Sequence, residues 1–282
     1  MSDKSAIEWT DATWNPTTGC DRVSPGCANC YALDLAARLK RMGSAAYQLD
    51  GDPLTSGPGF KLTLHPQRLA LPLGWTRPRR VFVNSMSDLF HPDVPDAFIA
   101  RVFAAMALGT RHTFQLLTKR PERMRVWMTT AGGPEEAVRA AAVGLDPRRA
   151  AATLPRVPWP LPNVWLGASV ENARWRARIE DLRATPAAVR FLSCEPLLGP
   201  LGDVNLDGIG WVIVGGESGP RHRPVQEAWI TGIRDQCVAA GVPFFFKQWG
   251  GATSKSGGRV LDGRTWDGYP EPETRELEAA AG

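Results

Sequence analysis

What most constrains this chain is a unit that recurs along it: a short apolar run, a knot of polar residues at its end, then a helix-forming stretch. Arg80-Val81-Phe82-Val83 runs into Asn84-Ser85-Met86-Ser87-Asp88, and Asp96 is placed to cap a helix carrying Phe98, Val102, Phe103 and Met106 before Gly109. Residues 113–117 run into Thr118-Lys119-Arg120, with Pro121 in the first turn of the next helix. Residues 163–167 lead to Ser169, Glu171 and Asn172, and then to a helix with Trp175, Ile179 and Leu182. Residues 189–193 end in Cys194-Glu195-Pro196, and residues 211–214 end in Gly215-Gly216-Glu217-Ser218-Gly219. Pro224 and Glu227 open a helix with Val225, Trp229, Ile233 and Cys237, closed by Gly241, and residues 243–246 end in Lys247-Gln248. A first strand is expected around Ile7, Trp9 and Trp14, up to Asn15-Pro16, and a first helix over 31–39, stopped by Gly43.

Short, continuously apolar strands separated by helices are the mark of a parallel sheet covered on both faces. About seven such units predict an α/β fold, a full or partial parallel (β/α) barrel of TIM type with loop insertions. A doubly wound open sheet is the alternative. Either topology gathers the polar residues at the carboxyl ends of the strands, where parallel α/β folds place their active sites. Asp88, Glu171, Glu195, Glu217 and Lys247 are therefore expected around one mouth.

A chain of 282 residues, 43% hydrophobic and 22% charged, is long enough to bury a sizeable core. A single domain is expected over 1–250, with insertions at about 43–80 and 131–162, where Gly and Pro punctuate the chain, though residues 135–143 have helical character. A weakly ordered extension is expected over 251–282, where aliphatic residues are scarce. The formal charge of +4, from 33 basic and 29 acidic residues interspersed, permits a nucleic-acid partner without demanding one. Neither a secretory signal nor a transmembrane run is found, so the expected location is cytoplasmic, with no membrane partner.

Within this frame, Cys20, Cys27 and Cys30 stand out, three of five cysteines in a C-x6-C-x2-C array just after the first strand. Gly19, Pro25 and Gly26 make the segment a turn-rich loop and not a core element. A disulfide would leave one thiol over and needs an oxidising compartment, so a metal is the better reading. Structural zinc would need a fourth ligand, from His65, His91, His112 or His222, none of which neighbours the triplet in sequence. An iron–sulfur cluster also suits thiolates, and three of them would leave one iron open to a non-protein ligand.

An N-terminal three-cysteine loop after the first strand of a parallel barrel resembles the radical S-adenosylmethionine (radical SAM) enzymes. The chain also resembles, over nearly its full length, a phage-associated three-cysteine-motif family of poorly defined function. That likeness rests on Trp14-Asn15-Pro16, on Ser24-Pro25-Gly26-Cys27-Ala28-Asn29-Cys30-Tyr31-Ala32, on Val214-Gly215-Gly216-Glu217-Ser218-Gly219 and on Phe245-Phe246-Lys247-Gln248-Trp249-Gly250. The resemblance implies that Cys20, Cys27 and Cys30 ligate a [4Fe–4S] cluster whose fourth iron takes the amino and carboxylate groups of S-adenosyl-L-methionine. Reductive cleavage would then release a 5′-deoxyadenosyl radical that abstracts hydrogen from substrate, with electrons from a donor such as flavodoxin or ferredoxin. The phage association implies a DNA or nucleotide substrate, a nucleobase undergoing rearrangement of the isomerase type, and a host-cytoplasmic location.

Two departures shape the assignment of roles. The first cysteine gap is three residues longer than the superfamily's commonest C-x3-C-x2-C, and Asn29 stands where an aromatic residue usually precedes the last cysteine. The superfamily's Gly-Gly-Glu segment normally follows the second strand, whereas Gly215-Gly216-Glu217 follows the sixth. Asn84, Ser85, Ser87 and Asp88 are thus better placed for the cofactor's amino group, with Ser169, Glu171 and Glu195 as further cofactor contacts and Glu217 and Lys247 as catalytic candidates. Bland readings compete: Asp88 capping a turn, Glu195 pairing with an arginine, Glu217 pairing with Lys247. Lys119-Arg120 and Arg221-His222-Arg223 could hold a phosphate or carboxylate. The other functional readings are a DNA-processing or DNA-binding protein with a structural zinc or iron–sulfur site, and a non-catalytic partner protein with an enzyme-like barrel.

Overall fold

Every expected apolar run contains a strand, although the first is confined to residues 12–14, with Ile7 and Trp9 in the turn before it, and together they form one parallel sheet in chain order. The strands are β1 (Ala12–Trp14), β2 (Arg80–Val83), β3 (Thr113–Thr118), β4 (Val164–Ser169), β5 (Val189–Cys194), β6 (Trp211–Gly215) and β7 (Phe244–Gln248). Within the sheet each strand pairs with its sequence neighbours, β1 ends one side, and on the other side β7 carries an antiparallel bridge from Phe245 to Asp267. A doubly wound sheet reverses its order partway, and this one does not. The computed structural model describes residues 5–253 and 255–270.

The sheet curls into a half-barrel, and its interior shows how. Trp9, which precedes β1, lies with its ring 4.7 Å from Phe82 of β2 and 6.1 Å from Trp211 of β6. Rings at opposite sides of a seven-stranded sheet meet only if its inner face is concave. Phe82, Trp165, Phe191, Trp211, Ile213 and Phe245 fill that concavity, while the alternate residues Val81, Val83, Leu166, Leu192, Val212, Val214 and Phe246 face the outer helices. Gly167 makes room for the plug, because a Cβ there would lie 2.4 Å from the Phe191 ring.

Among the described residues seven α-helices are present: α1 (Tyr31–Arg41), α2 (Asp96–Leu108), α3 (Pro121–Thr129), α4 (Gly133–Leu145), α5 (Pro147–Thr153), α6 (Ala177–Arg183) and α7 (Glu227–Ala239). The stretch expected as an insertion at 131–162 is largely α4 and α5. Val138, Ala142, Ala150, Val157 and Leu161 join the main core, so this region is part of the helical layer. The 43–80 excursion braces the cysteine loop: residues 63–64 pair antiparallel with 17–18, and Tyr47 and Phe60 are buried with Ala32, Ala36 and Met86 beside Cys20 and Cys30.

In the segment for which weak order is expected, Leu261, Trp266 and Tyr269 pack against the core clusters. The Trp211 indole donates to the Gly268 carbonyl at 2.7 Å, the Gly268 amide donates to the Phe244 carbonyl at 3.0 Å, and the Tyr269 hydroxyl donates to the Glu8 carbonyl at 3.2 Å. This strap spans the gap between the two edge strands. Residues 271–282 of that expectation lie outside the described residues. Among the described residues no helix is long and apolar enough to cross a membrane.

Candidate functional site

The carboxyl ends of the strands open into a cavity of about 480 Å³. Cys20, Cys27 and Cys30 line it, as do Asn84, Ser85, Ser87 and Asp88 after β2, Ser169 of β4, Glu195 after β5, Glu217 after β6 and Lys247 of β7. The inward parity of each strand carries these side chains to one place. Ile7, Trp9, Phe60, Phe82 and Leu117 add apolar wall. Glu171 does not line the cavity, and of the expected anion-binding groups Lys119 and Arg120 line it while Arg221, His222 and Arg223 do not.

The cysteine loop is held by its backbone and by two distant carboxylates. Gly19 has φ +86°, and a Cβ there would lie 2.2 Å from the Lys61 carbonyl oxygen, so glycine is required where the loop departs. Residues 25–27 make one 3-10 turn, and Cys30 is the N-cap of α1. Glu171 is fully buried; it accepts from Ser24 Oγ at 2.5 Å and from Arg178 Nη1 at 2.9 Å. Gly26 lies against it, since a Cβ there would come within 2.6 Å of Glu171 Oε1. On the other flank, Asn29 Nδ2 donates to Glu217 Oε2 at 3.0 Å and to the Arg221 carbonyl at 2.8 Å, and Arg223 Nη2 donates to the Pro25 carbonyl at 2.9 Å. Glu171, expected as a cofactor contact, is instead an anchor of the loop. Glu217 shares that task.

Three free thiols on one cavity are a donor set suited to iron and sulfide. Burial pushes Cys20 up to about 12, reinforced by the Asp88 charge and opposed by Arg120, whose Nη1 lies 3.4 Å from the Cys20 sulfur. Burial also raises Cys30, against which the Ala32 and Leu33 amides at the start of α1 and the Lys119 charge favour the thiolate. Metal binding would therefore displace protons from these sulfurs. Among the described residues no three His, Cys, Asp or Glu side chains are grouped tightly enough to hold one metal ion. None of the four histidines lines the cavity. His65 bonds Thr18 at 2.8 Å, His91 bonds Asp21 at 2.8 Å, and His112 and His222 bond the Pro72 and Gly219 carbonyls.

The remaining candidates divide by how many partners they have. Asp88 is saturated, accepting from Thr118 Oγ1 at 2.7 Å, the Phe90 amide at 3.0 Å, the Lys119 amide at 3.1 Å and Arg120 Nη1 at 3.0 Å. It ties the β2 and β3 loops together. Ser87 bonds Thr17, and Ser85 bonds Asn15. Asn84, at φ +62°, donates to Thr17 Oγ1 at 2.9 Å while its Oδ1 is buried without a partner. Glu217 accepts from the Arg223 amide at 2.8 Å and Nε at 2.9 Å, and this charge and these bonds outweigh burial and lower its pKa. Lys247 pairs with Glu195, not with Glu217. The roles of Ser24 and Asn29 as ties to Glu171 and Glu217 are not legible in the sequence, because these carboxylates lie 147 and 188 residues away.

Fold and site together define an α/β half-barrel protein whose strand-end cavity is lined by three free thiols. A family model described as a protein of unknown function, DUF5131, matches residues 4–270, and the chain belongs to that family. No curated protein and no solved structure matches it.

Proposed function

We propose that this protein is a radical S-adenosylmethionine enzyme, with Cys20, Cys27 and Cys30 holding a [4Fe–4S] cluster and S-adenosylmethionine taking the iron they leave open. The observation that carries the reading is the presence of three free thiols from one loop on a cavity at the carboxyl ends of a parallel half-barrel. When bound, the cluster and S-adenosylmethionine supply a one-electron cleavage that makes a radical able to take hydrogen from carbon. Arg120 and the N-terminus of α1 stabilise negative charge on the cysteine sulfurs. Asn84 Oδ1 is the free acceptor for the cofactor's amino group, since Asp88, Ser85 and Ser87 are already engaged. Trp9, Phe60, Phe82 and Leu117 keep water from the reacting centre.

Electrons would come from a donor of the flavodoxin or ferredoxin class. A nucleobase of phage DNA, rearranged in an isomerase-type reaction, is the substrate suggested by family resemblance. Anaerobic reconstitution followed by iron and sulfide analysis tests the class. About four irons and four sulfides per chain are expected, with release of 5′-deoxyadenosine under a strong reductant. A colourless protein with one tightly bound zinc and no 5′-deoxyadenosine would overturn it and favour the structural-metal reading.

A further inference from the structure

The inner face of the half-barrel is layered. Phe191 of β5 and Phe245 of β7 belong to the aromatic plug, and two residues farther along each strand, on the same face, stand Ser193 and Lys247. Ser169 is the register partner of Ser193. A shift in register between β6 and β7 at Gly215 turns Gln248 toward the cavity beside Lys247. Glu195 reaches back to the Lys247 ammonium. Ser169, Ser193, Glu195, Lys247 and Gln248 thus form a polar floor on an aromatic base, all lining the cavity that the cysteines overhang.

This floor has unused hydrogen-bonding capacity. Ser169 Oγ and Gln248 Oε1 are buried without partners, in residues 1% and 4% exposed. The Ser193 hydroxyl makes no hydrogen bond to any described residue, and Lys247 and Glu195 bond only each other. An ammonium offers three donors and a carboxylate about four acceptor sites, so both have capacity to spare in an apolar surround. Unsatisfied groups there are costly, and a ligand that completes them is strongly favoured.

We propose that this layer is the floor of the substrate site and receives a net-neutral, planar group presenting an N–H donor beside a carbonyl acceptor, the edge of a lactam or imide. The N–H meets the Glu195 carboxylate, Lys247 donates to the carbonyl, and the Ser169 and Ser193 hydroxyls complete the edge. Neutrality follows from the ion pair: an ionic ligand would draw off one member and leave the other charge uncompensated in the cavity. A planar group suits a cavity whose lining also includes the Trp9 and Phe82 rings. The inference rests on the proposed function only in calling this group the substrate's, and binding is measured on the full chain without cluster, so each can fail alone.

Calorimetry with uracil, 1,3-dimethyluracil, glycine and acetate tests it. Uracil is expected to bind at least tenfold more tightly than the other three, of which the dimethyl analogue keeps the ring and loses both N–H donors. Lys247→Met and Ser193→Ala should each weaken uracil at least fivefold, with folding checked by thermal melting. If Lys247→Met does not fold, Ser193→Ala decides. Uracil binding no better than 1,3-dimethyluracil, glycine or acetate, or binding indifferent to Ser193→Ala, overturns the proposal.

Discussion

Two groups of cysteines share this chain, and their surroundings differ completely. Cys194, on the outer face of β5, and Cys237, in α7, are fully buried in the main core. Burial alone pushes Cys237 up to about 12, and it is the main cause of the rise at Cys194. They are small hydrophobes that happen to contain sulfur. Cys20, Cys27 and Cys30 are half-buried on a cavity wall, with Arg120 beside one sulfur and a helix N-terminus beside another. The core pair is held by packing, whereas the triplet sits in a loop that needs Glu171, Glu217 and Gly26 to hold its shape. A cysteine's role follows from the charges and donors around it, more than from how deeply it is buried.

The widest separation between the two groups is expected in metal retention. Cys20→Ala should lose nearly all reconstituted iron while its metal-free melting temperature stays close to that of the parent, whereas Cys237→Ala should keep its iron and lose about 0.5–1.5 kcal/mol of stability to the small cavity it leaves. Metal analysis and chemical denaturation of both variants measure this. Equal iron in the two would erase the distinction.

A second effect, on the triplet's own support and smaller than the metal loss in its consequence for iron, comes from Glu171. Removing it as Glu171→Ala strands the Arg178 guanidinium, which is 7% exposed, and should cost about 3–5 kcal/mol. It should also free the Ser24 turn, so that Cys27 is alkylated faster than in the parent while Cys194 is not. Unchanged stability and labelling would show that the loop needs no such anchor.

Much of the architecture is legible in the sequence because it depends on local pattern. Runs such as 80–83 and 211–214 alternate toward core and plug, and a strand followed by a helix leaves little choice but parallel pairing with the next strand. The barrel's degree of closure is not local. It depends on how far the inner rings bring Trp9 toward Trp211, and the strap through Tyr269 that bridges the edges comes from a segment poor in aliphatic residues. The cysteine triplet was visible from its spacing, and the strand-end positions of Asn84, Ser169, Glu195 and Lys247 followed from the repeating unit. The partner choices did not follow. Glu171 and Glu195 occupy similar positions after their strands, yet one is sealed beneath the cysteine loop and the other faces the cavity. Only the folded chain brings Ser24 to the first and Lys247 to the second.

The central claim is that the triplet holds a cluster with one iron open to S-adenosylmethionine. Its most direct test is the electron paramagnetic resonance spectrum of anaerobically reconstituted, reduced protein, recorded with and without S-adenosylmethionine. A [4Fe–4S] signal whose g-values shift on adding S-adenosylmethionine is the predicted result. A cluster signal that S-adenosylmethionine leaves unchanged, or no cluster signal at all, would contradict it.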